Sequence, residues 1–504
     1  MISEYLERIL KARVYEVAVE TPLERAARLS DRLGNLVLFK REDLQPVFSF
    51  KLRGAYNKLV QMPASELERG VICSSAGNHA QGVALAAREL GIRAVVVMPV
   101  ITPSIKVDAV RGFGGEVILH GVAYDEAYLQ ARKLAEREGL AFVHPFDDPD
   151  VIAGQGTIGM EIHRQHRGHI DGIFVPVGGG GLISGIALYT KALFPEIRII
   201  GVEPADAASM HAALAAGHPV TLDHVGIFAD GVAVRRVGDE TFRVCAELVD
   251  EIILVSTDET CAAIQDIFED TRTIVEPAGA LAVAGMKRYI QTHGVVGKTF
   301  VTLNCGANVN FDRLRHIAER AALGEQREAL IAVEIPERAG SFLEFCSVIG
   351  ERNVTEFNYR FGDARIARIF VGLELSHGAG ERREIIAALE SAGHRVLDMS
   401  DNEMAKLHVR HMVGGLAPSL SNERLYRFEF PERPGALLKF LQAIGNRWNI
   451  SLFHYRNHGS DYGRVLAGIQ VPDRERAELA SHLTALGYPY WDETDNPAYE
   501  MFLS

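Results

Sequence analysis

Ile173-Phe174-Val175-Pro176-Val177-Gly178-Gly179-Gly180-Gly181-Leu182-Ile183-Ser184-Gly185 is an apolar run that breaks into four glycines and then resumes with helical spacing. A short apolar run closed by a Gly-rich turn is the pattern of a buried parallel strand feeding a helix. Glycines there let the backbone wrap around an anion, and the free N–H groups at the helix start favour negative charge. A second reading exists. Gly179-x-Gly181-x-x-Ser184 is close to a dinucleotide fingerprint, and Glu203 closes the next strand candidate about 20 residues on. Ser184 stands where that fingerprint takes Gly or Ala, and it accounts for none of the segments described next.

Working outward, strand candidates fall at 70–74, 93–98, 115–119, 140–144, 171–177, 197–203, 250–255 and 298–304, alternating with helical stretches from about Asn35 to Ala321. Such alternation predicts a mostly parallel sheet covered on both faces. Two such sheets are expected, with a smaller lobe inserted near 55–150.

Three of these runs end in residues able to do chemistry. After the strand-like Asn35-Leu-Val-Leu-Phe-Lys40, Ser49-Phe50-Lys51-Leu52-Arg53-Gly54-Ala55 opens a helix. A lysine amine condenses with carbonyls when it is positioned and burial lowers its pKa, and Phe50 and Leu52 supply apolar company. An ordinary surface lysine early in a helix is the plain alternative. Ser74-Ser75-Ala76-Gly77-Asn78-His79-Ala80-Gln81-Gly82 links the strand Gly70-Val-Ile-Cys-Ser74 to a helix, and its N–H groups could hold a carboxylate. Val301-Thr-Leu-Asn-Cys305-Gly306-Ala307-Asn308 ends a buried strand in a polar turn, where Cys305 could offer a weak donor to a heterocycle nitrogen.

A lysine, a carboxylate turn, a phosphate turn and a ring-nitrogen partner in that order resemble the fold-type II (tryptophan synthase β-like) pyridoxal phosphate enzymes. Each segment sits at the carboxyl end of a strand candidate, where open α/β sheets place ligands. The resemblance implies that Lys51 forms the Schiff base with the cofactor and Phe50 packs near it. It implies further that Asn78 bonds the phenolic oxygen, that Gly178, Gly179, Gly180 and Gly181 cradle the phosphate, and that Cys305 faces the pyridine nitrogen. Ser75, Gly77, Asn78 and His79 would take the substrate carboxylate.

Composition narrows the remaining classes. The 504 residues are 47% hydrophobic and accommodate two or three domains. With 53 Lys plus Arg against 66 Asp plus Glu, the net charge is −13, and no basic block exists to bind nucleic acid. The five cysteines are scattered and never spaced Cys-x-x-Cys, which suits a reducing cytoplasm and no zinc site. The first ten residues interleave charge with apolar side chains, and no apolar stretch approaches a membrane span.

Beyond Glu325 the pattern becomes strand, helix, strand, strand, and then repeats. Val333-Glu-Ile-Pro-Glu-Arg-Ala-Gly340 recurs as Phe428-Glu-Phe-Pro-Glu-Arg-Pro-Gly435 at an offset of 95, and Asn353-Val-Thr-Glu-Phe-Asn-Tyr-Arg360 recurs as Asn449-Ile-Ser-Leu-Phe-His-Tyr-Arg456 at 96. Two copies imply duplication, with the Gly/Pro/Ser stretch 414–422 as linker. Each copy resembles an ACT-like (ferredoxin-like) α+β module that senses amino acids, and an interface-building role is the alternative. The domains expected are 1–322 (catalytic), 329–400 and 424–498 (ACT-like).

A catalytic domain of this type followed by two such copies resembles the biosynthetic threonine deaminases over nearly the whole chain. Ser75-Ala-Gly-Asn-His-Ala-Gln-Gly82, Glu276-Pro-Ala-Gly-Ala280, Gly306-Ala-Asn-Val-Asn310 and Asp401-Asn-Glu-Met-Ala-Lys-Leu-His-Val-Arg410 are the phrases that carry it. The resemblance implies L-threonine (also L-serine) as substrate, isoleucine and valine as opposing effectors, and a cytoplasmic homotetramer. Tyr359, Arg360, Tyr455 and Arg456 are the effector-pocket candidates. Alternatives are a catabolic serine/threonine dehydratase, against which the C-terminal repeat argues, and a non-catalytic sensor, against which Lys51 argues. Ala76 replaces the serine that racemases of this fold carry. Ser209 stands where relatives holding a cation through residues like Glu203 and Ala207 place an Asp, so no metal is predicted. Glu203 reads otherwise as a solvated strand-end acid, and Glu276 as either a substrate-orienting group or a helix cap.

Overall fold

All eight apolar runs become strands: Val71–Ser74, Ala94–Met98, Glu116–Leu119, Ala141–Phe142, Gly172–Pro176, Arg198–Pro204, Glu251–Val255 and Thr299–Leu303. The computed structural model describes residues 1–336, 341–350, 352, 354–360, 365–411, 422–431, 448–456 and 462–503. The chain divides into two units, Met1–Asn310 and Phe311–Ser504.

The first unit carries two sheets. One orders its strands Glu116–Leu119, Ala94–Met98, Val71–Ser74, Ala141–Phe142, all parallel. The other runs Leu23–Arg25, Leu36–Lys40, Thr299–Leu303, Gly172–Pro176, Arg198–Pro204, Glu251–Val255, parallel except for its first pair. Strand Gly172–Pro176 is buried along its whole length, as an interior parallel strand must be when helices cover both faces.

Three helices fix the reactive segments against one another. Helix Pro149–Gln165 lies between helix Lys51–Gln61, which begins at the candidate lysine, and helix Gly181–Leu193, which begins at the glycine turn. Glycines make the approach possible. A Cβ on Gly154 would fall 2.7 Å from the Gly54 Cα, and one on Gly185 would fall 2.5 Å from the Ile152 carbonyl. Charge reinforces this packing. Arg53 pairs with Glu42 at 2.8 Å and with Glu161 at 2.5 Å, and Lys40 pairs with Glu161 at 2.5 Å, all four side chains being fully buried. Two cations thus balance two anions where helix, helix and strand meet, and the arrangement holds because every member has a partner.

The second unit is the duplication made visible. Its two sheets order their strands Val354–Arg360, Ile366–Glu374, Glu328–Pro336, Arg395–Asp398 and Asn449–Arg456, Tyr462–Gln470, Glu423–Pro431, Tyr490–Asp492, all antiparallel. Irregularities recur at one place, between Val354 and Glu356 and between Ile450 and Leu452. Side chains recur too. Glu334–Arg368 (3.1 Å) is matched by Glu429–Arg464 (2.6 Å), and the Leu330 and Leu425 amides donate 3.0 Å to Ser400 Oγ and Thr494 Oγ1. Leu330, Ala332 and Phe370 of one copy share a core with Leu425 and Leu466 of the other and with Phe502. Asn402 Nδ2 donates 3.1 Å to Asn496 Oδ1, joining equivalent helix caps. The Pro-Glu-Arg turns after Pro336 and Pro431 and most of the stretch 414–422 lie outside the described residues.

Candidate active site

Lys51 is the first residue of its helix, and a short backbone ladder delivers it there. Phe48 takes φ +54°, turning the chain so that its carbonyl accepts the Ala307 amide (2.9 Å) while Phe50 N–H donates to the Cys305 carbonyl (3.3 Å). Ser49 and Gly306 form the bridge between them. The lysine and cysteine segments, distant in sequence, are therefore two edges of one hydrogen-bonded frame.

Lys51 Nζ donates to the Pro145 carbonyl at 3.0 Å and stands 5.3 Å from the centre of the Phe50 ring. Burial lowers its pKa to about 8, with Cys305 and Glu276 pulling the other way. A helix N-terminus further disfavours a cation. The amine is thus far closer to neutrality than an exposed lysine. Cys305 is buried, and burial followed by the charge of Glu276 pushes its thiol well up. It remains a neutral donor, aimed at the Ala278 carbonyl at 3.4 Å.

The small-lobe turn meets this frame through Asn78. Asn78 Nδ2 donates to Glu276 Oε1 (2.6 Å), and Asn308 Nδ2 donates to Asn78 Oδ1 (2.7 Å) and to the Val47 carbonyl (2.8 Å). Glu276 occupies the cap position of helix Pro277–His293 yet makes no side-chain cap bond, its carboxylate being turned to Asn78 instead. Ser75 Oγ accepts the Gly77 amide at 3.2 Å and shapes the turn. Helix Asn78–Glu89 starts here, so the amides of Asn78 and His79 lack intrahelical acceptors. The His79 ring faces away to the Val143 carbonyl at 3.0 Å, and burial drives its pKa to about 3, so it stays neutral.

The glycine turn is packed from two sides. Phe146 lies against it, so that a Cβ on Gly179 would fall 2.2 Å from the Phe146 ring. Thr241 Oγ1 donates 2.6 Å to the Gly179 carbonyl, and Gly180 takes φ +95°, open only to glycine. The segment His144–Asp147 therefore touches both halves of the site, Pro145 holding Lys51 and Phe146 covering the glycines.

Lys51, Phe50 and Cys305 thus share one backbone frame, Asn78 reaches Glu276 and Asn308 beside it, Ser75, Gly77 and His79 lie in the adjoining turn, and Gly178–Gly181 are linked to Lys51 through the Pro145–Phe146 pair. Tyr359, Arg360, Tyr455 and Arg456 pair along the backbone with Ile369, Arg368, Val465 and Arg464, and their side chains lie outside the described residues. Pro145, Phe146, Thr241 and Asn308 were not expected as site residues. Pro145, Phe146 and Asn308 are signalled only by lying a few residues past a strand end, and Thr241, in the first turn of helix Asp239–Leu248, carries no such signal. Glu203 corrects the expectation of a solvated acid: it is buried, accepts the Met210 and His211 amides at 2.8 Å each, and burial raises its carboxyl to about 7. Its oxygens are spent on a helix start.

Two family matches divide the chain. Residues 15–306 match the family described as pyridoxal-phosphate dependent enzyme, and 319–409 and 415–503 each match the C-terminal regulatory domain of threonine dehydratase. The chain is 58% identical to the biosynthetic L-threonine dehydratase IlvA of Burkholderia multivorans, over 99% of both proteins. It is 57% identical to that of Escherichia coli, over 100% of this chain and 97% of that protein. Among solved structures it resembles the processed form of threonine deaminase isoform 2 from Solanum lycopersicum. There the TM-score is 0.63 at 51% identity, covering 64% of this chain and 88% of that one. With the lysine frame, the Ser75–His79 turn and the glycine turn in one half, a duplicated half that matches a regulatory domain, and relatives of this closeness over the full length, the chain belongs to the pyridoxal-phosphate dependent enzymes, in the family of the biosynthetic threonine dehydratases.

Proposed function

We propose that the protein eliminates water from L-threonine, and also from L-serine, the threonine product giving 2-oxobutanoate and ammonia after hydrolysis. The observation that carries this reading is Lys51, an amine of lowered pKa held at the head of a helix in a frame shared with Cys305. The residues fit pyridoxal phosphate: an amine that can be neutral, a thiol donor, an amide whose orientation is fixed, and a glycine turn opening helix Gly181–Leu193. Lys51 would bind its aldehyde, Phe50 pack beside it, Asn78 hold its phenolic oxygen, Gly178–Gly181 its phosphate and Cys305 its ring nitrogen. Bound, the cofactor supplies an electron sink for charge developing at the substrate Cα.

The rest is work for the chain. The turn Ser75–His79 would hold the substrate carboxylate with its backbone N–H groups, those of Asn78 and His79 included, and the Ser75 side chain, which fixes the Cα–H bond relative to Lys51. Lys51 Nζ, as the neutral amine its lowered pKa favours, would take the Cα proton. Cys305 keeps its proton, and a neutral partner there limits how far charge is withdrawn, favouring prompt loss of the β-hydroxyl over slower side reactions. His79, neutral and turned away, is a spacer for its side chain and a donor through its backbone.

In this reading the second unit senses isoleucine as inhibitor and valine as its opponent, with Tyr359, Arg360, Tyr455 and Arg456 in the pockets, and the enzyme works as a cytoplasmic homotetramer. Its support is the regulatory-domain match and the duplicated fold. Among the described residues no helix is long and apolar enough to cross a membrane. Release of 2-oxo acid from L-threonine and L-serine, with and without isoleucine, tests both halves. Turnover of threonine suppressed by isoleucine is expected, and absence of turnover by cofactor-loaded protein would overturn the reading.

A further inference from the structure

The glycine turn does not hold its own shape. The Gly179 carbonyl is drawn outward by Thr241 Oγ1 at 2.6 Å, assisted by the Gly238 amide at 3.5 Å. In a trans peptide the C=O and the following N–H point in opposite directions, so fixing the Gly179 carbonyl on one side aims the Gly180 N–H to the other. A hydroxyl has one proton to give. The 2.6 Å contact takes it, leaving the 3.3 Å approach of the same oxygen to the Gly238 carbonyl as a secondary one.

Thr241 is itself pinned. It is fully buried near the start of helix Asp239–Leu248, whose first amides are held by the Asp147 carboxylate: Asp239 at 3.1 Å, Glu240 at 3.0 Å and Thr241 at 3.2 Å. Asp147 follows Phe146 and Pro145, the residues that cover the glycines and hold Lys51. Gly180 leaves no room for adjustment from within, since a Cβ there would fall 2.8 Å from both Thr241 Cβ and Met210 Cε.

We propose that Thr241, set by Asp147, is the positioning residue that aims the glycine-turn amides, and that its hydroxyl governs affinity for the phosphate of the cofactor. The inference rests on the reading above that this turn holds the phosphate. Thr241 touches neither cofactor nor substrate in this account, and acts through the peptide between Gly179 and Gly180.

The test compares pyridoxal phosphate with pyridoxal, which lacks the phosphate, binding to the full chain stripped of cofactor. Thr241→Val keeps the shape and removes the donor. Its affinity for pyridoxal phosphate falls about tenfold or more, the scale of one buried hydrogen bond, while its affinity for pyridoxal stays within about twofold. Thr241→Ser restores the first value. Unchanged phosphate-dependent affinity in Thr241→Val, or an equal loss for both ligands, overturns the proposal. Should Thr241→Val fail to fold, Asp147→Asn carries the same comparison and loses affinity for pyridoxal phosphate alone. If the wild-type chain fails to distinguish the two ligands, the phosphate reading of the glycine turn falls, and this inference with it. If the wild type distinguishes them and Thr241→Val does so equally well, only the inference falls.

Discussion

Asn78 and Glu276, 198 residues apart, meet at 2.6 Å, Nδ2 donating to Oε1, and the Asn308 amide, 2.7 Å from Oδ1, fixes which end of the Asn78 amide is the donor. A flipped Asn78 would set donor against donor at Asn308 and acceptor against carboxylate at Glu276. The side chain proposed to hold the phenolic oxygen therefore has one orientation.

Removing the Asn308 donor should release that constraint. Asn308→Ala is expected to lower kcat/KM for threonine by about tenfold, the worth of one hydrogen bond of about 1–1.5 kcal/mol, with cofactor still bound. Steady-state kinetics on the cofactor-saturated variant check this, and an unchanged kcat/KM would contradict it.

The Lys51 amine must be neutral to condense with an aldehyde. Burial puts its pKa near 8, below the 10.5 of an exposed lysine, so recombination of cofactor with stripped protein should quicken with pH around a midpoint near 8. Glu276 raises that pKa, so Glu276→Gln should move the midpoint lower. A stopped-flow pH profile with a midpoint near 10, or an upward shift in Glu276→Gln, would count against this electrostatic account.

Arg53 neutralises two buried carboxylates, Glu42 and Glu161. Arg53→Met leaves both facing Lys40 alone, and the cost should be about 3–5 kcal/mol, as for other buried pairs broken from one side. Urea unfolding of the variant measures it. A loss below about 1 kcal/mol would mean that the cluster relaxes or takes up water.

Regulation should sense the repeated tyrosines. Tyr359→Ala and Tyr455→Ala are each expected to weaken isoleucine inhibition while leaving threonine turnover without isoleucine unchanged. If both variants are inhibited as the wild type is, the repeated Phe-x-Tyr-Arg motif does not line the effector pockets. Coupling between sites is reciprocal, so an inhibitor that lowers threonine affinity must itself bind less tightly when threonine is present.

Much of the scaffold could be read from residue order because its strands are buried on both faces, and a run such as Gly172–Pro176 must then be apolar throughout. The placement of Lys51, Asn78 and the glycines was legible for a related reason: each follows such a run, where parallel sheets expose their ends. The second half was legible through its repeat, which returns in three dimensions as the matched pairs Glu334–Arg368 and Glu429–Arg464. What escaped was contact between distant segments. Thr241 meets Gly179 across 62 residues and Asn308 meets Asn78 across 230, and no periodicity marks a residue that acts through a partner so far away. Glu203 escaped for a different reason. An acid at a strand end reads as solvated, and only the helix beginning at Ser209 supplies the two amides that let it stay buried.

The proposed conversion of threonine runs through Lys51. The most direct measurement is 2-oxobutanoate release from L-threonine, together with the visible absorbance of bound cofactor, for the wild type and for Lys51→Ala. Turnover and the lysine-bound absorbance are expected in the wild type, with loss of both in Lys51→Ala, which would still hold pyridoxal phosphate loosely. Full turnover by Lys51→Ala would contradict the role proposed for Lys51.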